Sequence, residues 1–156
     1  DVCSSDLHGL TLLGREIPSN NGKALKILSK MIMDDVEKAK EIPGLEKYAH
    51  RLQSEIENLG KVTMHKLGIA ASGKTDVFLA DATLYMELFG LNMVAWQWLK
   101  QGMVASAQLQ SSSSHAEDKV FYEDKIHTMK FFYHYEVPQA KSLSERLMDE
   151  EILTIF

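Results

Sequence analysis

TDVFLADATLYMELFGLNMVAWQWLKQGMVASAQLQ, Thr75 to Gln110, decides the fold, because no other segment of the 156-residue chain is apolar around nearly its whole circumference. It lacks proline, carries turn after turn of Leu, Ala, Met and aromatic residues, and is too long for a strand. The pattern therefore predicts one long helix whose soft points are Gly90 and Gly102. Such a helix needs cover on every side. Length argues against a membrane span: the charge-free run Leu88 to Leu99 holds twelve residues, against roughly 18 for a bilayer crossing. The expectation is the central helix of an all-α, antiparallel four-helix bundle.

Upstream of it, residues 22–42 place Leu25, Leu28, Ile32, Val36 and Ala39 at three- and four-residue steps, with Lys26, Lys30, Asp34, Glu37 and Lys40 on another face. Pro43-Gly44 breaks this first bundle helix. A second follows with Leu45, Tyr48, Leu52, Ile56, Leu59, Thr63 and Leu67 on a heptad-like stripe. Gly68 to Lys74 is read as the connection to the central helix. Downstream, Ser111 to Ser114 is a polar linker. A fourth helix starts around His115 to Asp118 and offers Tyr122, Ile126, Met129 and Tyr133 to the core, widened by Phe131 and Phe132. Pro138 should kink or restart it. Leu143 and Leu147 close the bundle, and residues 150–156 form a frayed tail.

The chain's start reads differently. DVCSSDL, residues 1–7, resembles the in-frame translation of a DNA-sequencing adapter and is set aside as an artefact. Residues 8–21, HGLTLLGREIPSNN, read as the tail of a helix ending at Gly14, followed by a linker marked by Pro18 and the polar run after it. The bundle itself is assigned to residues 22–149.

Composition narrows the function. Apolar residues make up 45% and charged residues 25%, an ordinary globular balance, and the net charge of −5 comes from interleaved acids and bases. No basic stripe marks a nucleic-acid surface. The one cysteine, Cys3, supports neither a disulfide framework nor a cysteine zinc site, and fits a reducing, cytoplasmic setting.

Three motifs invite chemistry. GIAASGKT, Gly68 to Thr75, satisfies the phosphate-loop pattern and is followed by VFLAD. Phosphate cradling needs that loop to leave a buried strand, whereas the preceding segment is an amphipathic helix, so a helix–turn–helix connection is the better reading. Asp124 and His127, with His134 seven residues further on, approach a bundle metal site. A di-iron site needs Glu-x-x-His from two helices, and the pair here occurs once. His127 and His134 read as partly exposed histidines beside solvated acids, and His50, His65 and His115 have no partners at ligand spacing. Trp96, Trp98, Met86, Met93 and Met103 suit an apolar ligand but more simply form core. No residue is assigned as catalytic, cofactor-binding or metal-ligating.

GLTLLGREIPSNNGKAL, FLADATLYMELFGLNMVAWQWL and FYEDKIHTMKFFYHYEVPQAKSL, in this order and spacing, resemble the C-terminal extension of a subgroup of flavin-dependent acyl-CoA dehydrogenases. Leu12, Leu13, Gly14 and Arg15 match the Leu-Leu-Gly-Arg sequence that closes the dehydrogenase domain there. His8, Thr11 and Glu16 stand where relatives often have Gln, Asp and Lys. The resemblance implies a parent enzyme that performs α,β-dehydrogenation of an acyl-CoA thioester, with FAD, an electron-transferring flavoprotein as partner, and homo-oligomeric assembly. It places the general-base glutamate about thirteen positions before Arg15, which is Val2 here. The base is expected upstream, and this portion is expected to be a structural domain without a cofactor of its own. An independent helical interaction module is the alternative, with a phosphate-loop enzyme using Lys74 or a metal enzyme using His127 further behind.

Overall fold

The computed structural model describes residues 4–111 and 116–153, and every regular element among them is helical. Helix α1 (Ser4–Thr11) runs without interruption into a π turn, Leu12–Glu16, closed by Ile17 N donating to Leu12 O at 2.9 Å. Gly14 therefore lies inside the helical run and does not end it. Pro18, which has no amide to donate, follows at its end. Four of the residues set aside at the start, Ser4 to Leu7, are part of α1, whereas Val2 and Cys3 lie outside the described residues.

A 3₁₀ turn, Ser19–Gly22, leads into α2 (Lys23–Lys40) through Gly22, whose φ of 69° is in the left-handed region that glycine tolerates. At Pro43-Gly44, Gly44 has φ 87° and its amide donates to Glu46 Oε2 at 2.8 Å. Helix α3 (Glu46–Ala71) starts there. It extends through Gly68 to Ala71, so the connection to the next helix is only Ser72, Gly73 and Lys74.

The Thr75–Gln110 stretch is helical but is two helices, α4 (Thr75–Ala80) and α5 (Ala82–Gln110). The break falls at Asp81, with φ −107° and ψ 28°, and neither Gly90 nor Gly102 interrupts α5. Nor is the stretch covered all round: Glu87, Val94, Gln97, Gln101 and Val104 form an exposed stripe at helical spacing. Helix α6 (Ala116–Tyr135) and helix α7 (Gln139–Met148) are separated by a turn at Pro138, as a proline there requires. Ser112 to His115 and residues 154–156 lie outside the described residues.

Contacts fix the antiparallel order. Leu45, preceding α3, and Met129 of α6 both reach Gly102 of α5, while Thr63 of α3 meets Tyr85 near the other end of α5. Tyr133 Oη donates to Ala95 O at 3.0 Å, and Arg146 of α7 reaches Asp81. Later residues of α6 and α7 thus meet earlier residues of α5, so the two share the fourth corner in series, beside α2, α3 and α5.

Two apolar clusters fill the bundle. One joins Ile32, Val36, Leu52, Leu99, Met129 and Tyr133; the other joins Leu13, Ile17, Val62, Phe78, Tyr85, Leu88 and Leu147. The second contains α1's continuation, so the segment read as tail and linker is packed into the core. Helix α1 crosses α5 where a Cβ at Gly9 would stand 2.8 Å from Ala82 O, a distance only glycine allows. On α3 the buried stripe drifts: Lys66 and Ile69 are buried and Leu67 is half-buried, as a straight helix departs from a heptad by about 20° per repeat. On α6, Phe131 is 50% exposed and stacks on exposed Tyr135 rather than joining the core.

Candidate functional site

Polar chemistry inside the bundle is concentrated where α3, the α4–α5 break and α7 meet. Lys66 has no exposed surface, and its Nζ lies 3.8 Å from Asp81 Oδ2 without a hydrogen-bond partner. Arg146 approaches the same oxygen through Nε and Nη2, each at 3.4 Å. Asp81 therefore sits between two cations, at ion-pair rather than hydrogen-bond distances. Burial pushes the Lys66 ammonium below the usual lysine range, and neighbouring Arg146 adds to this; Asp81 opposes but does not cancel it.

Arg146 also holds the chain that follows α7, donating from Nη2 to Glu151 O at 2.8 Å. One turn of α3 away, Thr63 Oγ1 donates to Leu59 O, and its oxygen is 2.7 Å from Tyr85 Oη. Burial raises the Tyr85 phenol above its ordinary value, only partly offset by Thr63. The cluster thus links α3, the α4–α5 break and α7 through buried polar groups.

A second polar link ties α2 to α5. Trp96 Nε1 donates to Asp35 Oδ2 at 3.0 Å, Lys38 pairs with Asp35 at 3.1 Å, and Lys100 lies 5.0 Å from the Trp96 ring centroid. Burial raises the Asp35 carboxyl, but the hydrogen bonds from Lys38 and Trp96 and the charges of Lys38 and Lys100 outweigh it, leaving it below the usual range.

Between α2, α3 and α5 lies an apolar groove of about 250 Å³, with Leu25, Leu28, Ile32, Leu59, Phe89 and Met93 among its walls and Lys26 the only charged residue lining it. It offers no paired donors for a diphosphate. This groove does not fit FAD.

The motif residues are dispersed. Gly68 to Ala71 are helical, Gly73 has φ 82°, and exposed Lys74 faces Glu150 at 3.9 Å, so no strand feeds the GKT sequence. Asp124, His127 and His134 are exposed on α6, with His134 edge-on to Tyr48 at 6.2 Å. Among the described residues no three His, Cys, Asp or Glu are grouped to hold a metal. His50 is exposed, His65 is half-buried with an unpartnered Nε2, and His115 lies outside the described residues. Trp96 is core, Trp98, Met86 and Met103 are half-buried, and only Met93 of this group lines the groove.

Lys66 and Arg146 were not singled out by sequence reasoning, and Asp81 entered it only as the last residue of VFLAD. A signal existed for Lys66, which lies three residues after Thr63 and seven after Leu59, in register with the buried stripe of α3. Asp81 and Arg146 are 65 residues apart, and nothing local links them.

No helix among the described residues is long and apolar enough to cross a membrane. Comparison with curated proteins finds no match. The profile of the family described as acetyl-CoA dehydrogenase C-terminal like matches residues 28–154, which takes in α3 to α7 and most of α2. This match, which spans most of the chain, places it in the acetyl-CoA dehydrogenase C-terminal like family.

Proposed function

We propose that the chain is the C-terminal helical part of an FAD-dependent acyl-CoA dehydrogenase and that its own role is structural. The family match over residues 28–154 carries this reading. The Leu12-Leu13-Gly14-Arg15 sequence supports it, lying on the helical run that enters the bundle from the N-terminal side with Leu13 fully buried. In this reading residues 8–21 close the dehydrogenase domain and residues 22–149 form the appended bundle. The bundle packs on that domain or on another subunit of a homo-oligomer. The parent removes hydrogens from the α and β carbons of an acyl-CoA thioester and passes electrons to an electron-transferring flavoprotein in the cytoplasm. Its general base and flavin-binding groups belong to the preceding domain.

Purified chain tests the division of labour. It should show no flavin absorbance and no acyl-CoA-dependent reduction of an electron-acceptor dye. Stoichiometric flavin, or dye reduction above a no-enzyme control, would overturn the assignment of a purely structural role.

A further inference from the structure

The groove between α2, α3 and α5 combines two properties that the bundle's stability does not require. Its walls are apolar, and the one hydroxyl deepest among them, that of Thr63, is already engaged by Leu59 O and Tyr85 Oη. Ser29 and Lys26, on the α2 side, are the other polar side chains that line it. Its volume of about 250 Å³ lies just under the roughly 300–1,000 Å³ of pockets that enclose drug-sized ligands, and suits a small apolar one.

Charge supplies the other half. Lys26 lines the groove, and Lys23 and Lys30 lie three residues before and four after it, on one stripe of α2. None of the three makes an ion pair among the described residues, whereas Lys38 and Lys40 at the far end of α2 pair with Asp35 and Glu37. Lys23 and Lys26 also stand at the start of the helix, where the backbone dipole repels cations, and no acid precedes Asp34. Helices α3 and α4, by contrast, carry Glu46 and Asp76 in their first turns. A cationic stripe placed against the dipole, in a chain of net charge −5, breaks a local rule without a stabilising return.

We propose that this groove binds a single-chain amphiphile with a carboxylate head, its tail between Leu25, Ile32, Phe89 and Met93 and its head at the Lys23–Lys26–Lys30 stripe. Decanoate, kept below its aggregation concentration, is the probe. Titration of the full 156-residue chain, followed by calorimetry and by side-chain NMR shifts, should give saturable one-to-one binding with the largest shifts at those four wall residues. Gly60 lines the groove, and a Cβ there meets no atom within 4 Å. Gly60→Phe should therefore fold, as a melting curve will verify, and weaken decanoate at least tenfold. Replacing Lys23, Lys26 and Lys30 together by Ser should weaken decanoate severalfold and remove its preference over decyltrimethylammonium.

Absence of saturation, shifts centred elsewhere, wild-type affinity in folded Gly60→Phe, or equal binding of the trimethylammonium compound would each overturn the proposal. Decanoate binding reads the groove alone, and flavin content reads the parent enzyme, so the two can fail separately.

Discussion

Lys66 carries a charge that the fold encloses completely. Its ammonium is enclosed, and its one close counter-charge, Asp81, is shared with Arg146. Replacing a buried ion with an apolar residue of similar shape is often neutral or stabilising, while removing its partner strands it. Lys66→Met should therefore leave stability unchanged or raise it by about 1 kcal/mol, and Asp81→Asn should lower it by about 3 kcal/mol, in urea unfolding at pH 7. The pH dependence has a definite sign. Because the folded-state pKa of Lys66 lies below its unfolded value of 10.5, the unfolded chain binds more protons between the two values, and this residue's contribution becomes more favourable as pH rises through that window. Any advantage of Lys66→Met should shrink as pH approaches 10.5; an advantage that grows with pH would contradict the burial argument.

Glycines separate the helices that touch closely from those that do not. At Gly9 a Cβ would stand 2.8 Å from Ala82 O, and backbone cannot move aside as a side chain can. Gly102 is packed against Met129 Sδ, a flexible neighbour. Gly90 has nothing within 4 Å of its would-be Cβ. Gly90→Ala should stabilise the chain by about 0.5–1 kcal/mol through helix propensity, whereas at Gly102→Ala the displacement of Met129 should cancel that gain and leave a cost of no more than about 1 kcal/mol. Gly9→Ala should lift α1 from α5, seen as faster amide exchange in residues 7–17 and little change in α6. Helix existence was legible from periodicity: Leu28, Ile32, Val36 and Ala39 mark α2 as plainly in the sequence as in the core. The break at Asp81 was not, because Ala80 and Ala82 around it favour a helix. Its carboxylate meets Lys66 and Arg146, which are distant in sequence. Gly14 misled for the same reason, since a glycine suited to a helix end is carried through by packing of Leu13 and Ile17.

At the scale of the molecule, the bundle and its family were readable because hydrophobic spacing and aromatic order survive in a single sequence. The polar cluster was hidden, because it is made by contacts between α3, the α4–α5 break and α7 that only the fold creates. The groove was legible only through Met93, weighed for an apolar ligand with four residues that do not line it; Phe89 looks like any core residue until α2 leaves space beside it. The central claim is that this bundle completes a larger flavin enzyme. Sequencing the genomic DNA upstream of the His8 codon tests it most directly. The account predicts an open reading frame that continues into a flavin-binding dehydrogenase domain, with a Tyr-Glu-Gly-Thr-like segment about thirteen positions before Arg15 to supply the base. An authentic start codon immediately ahead of His8 would contradict it.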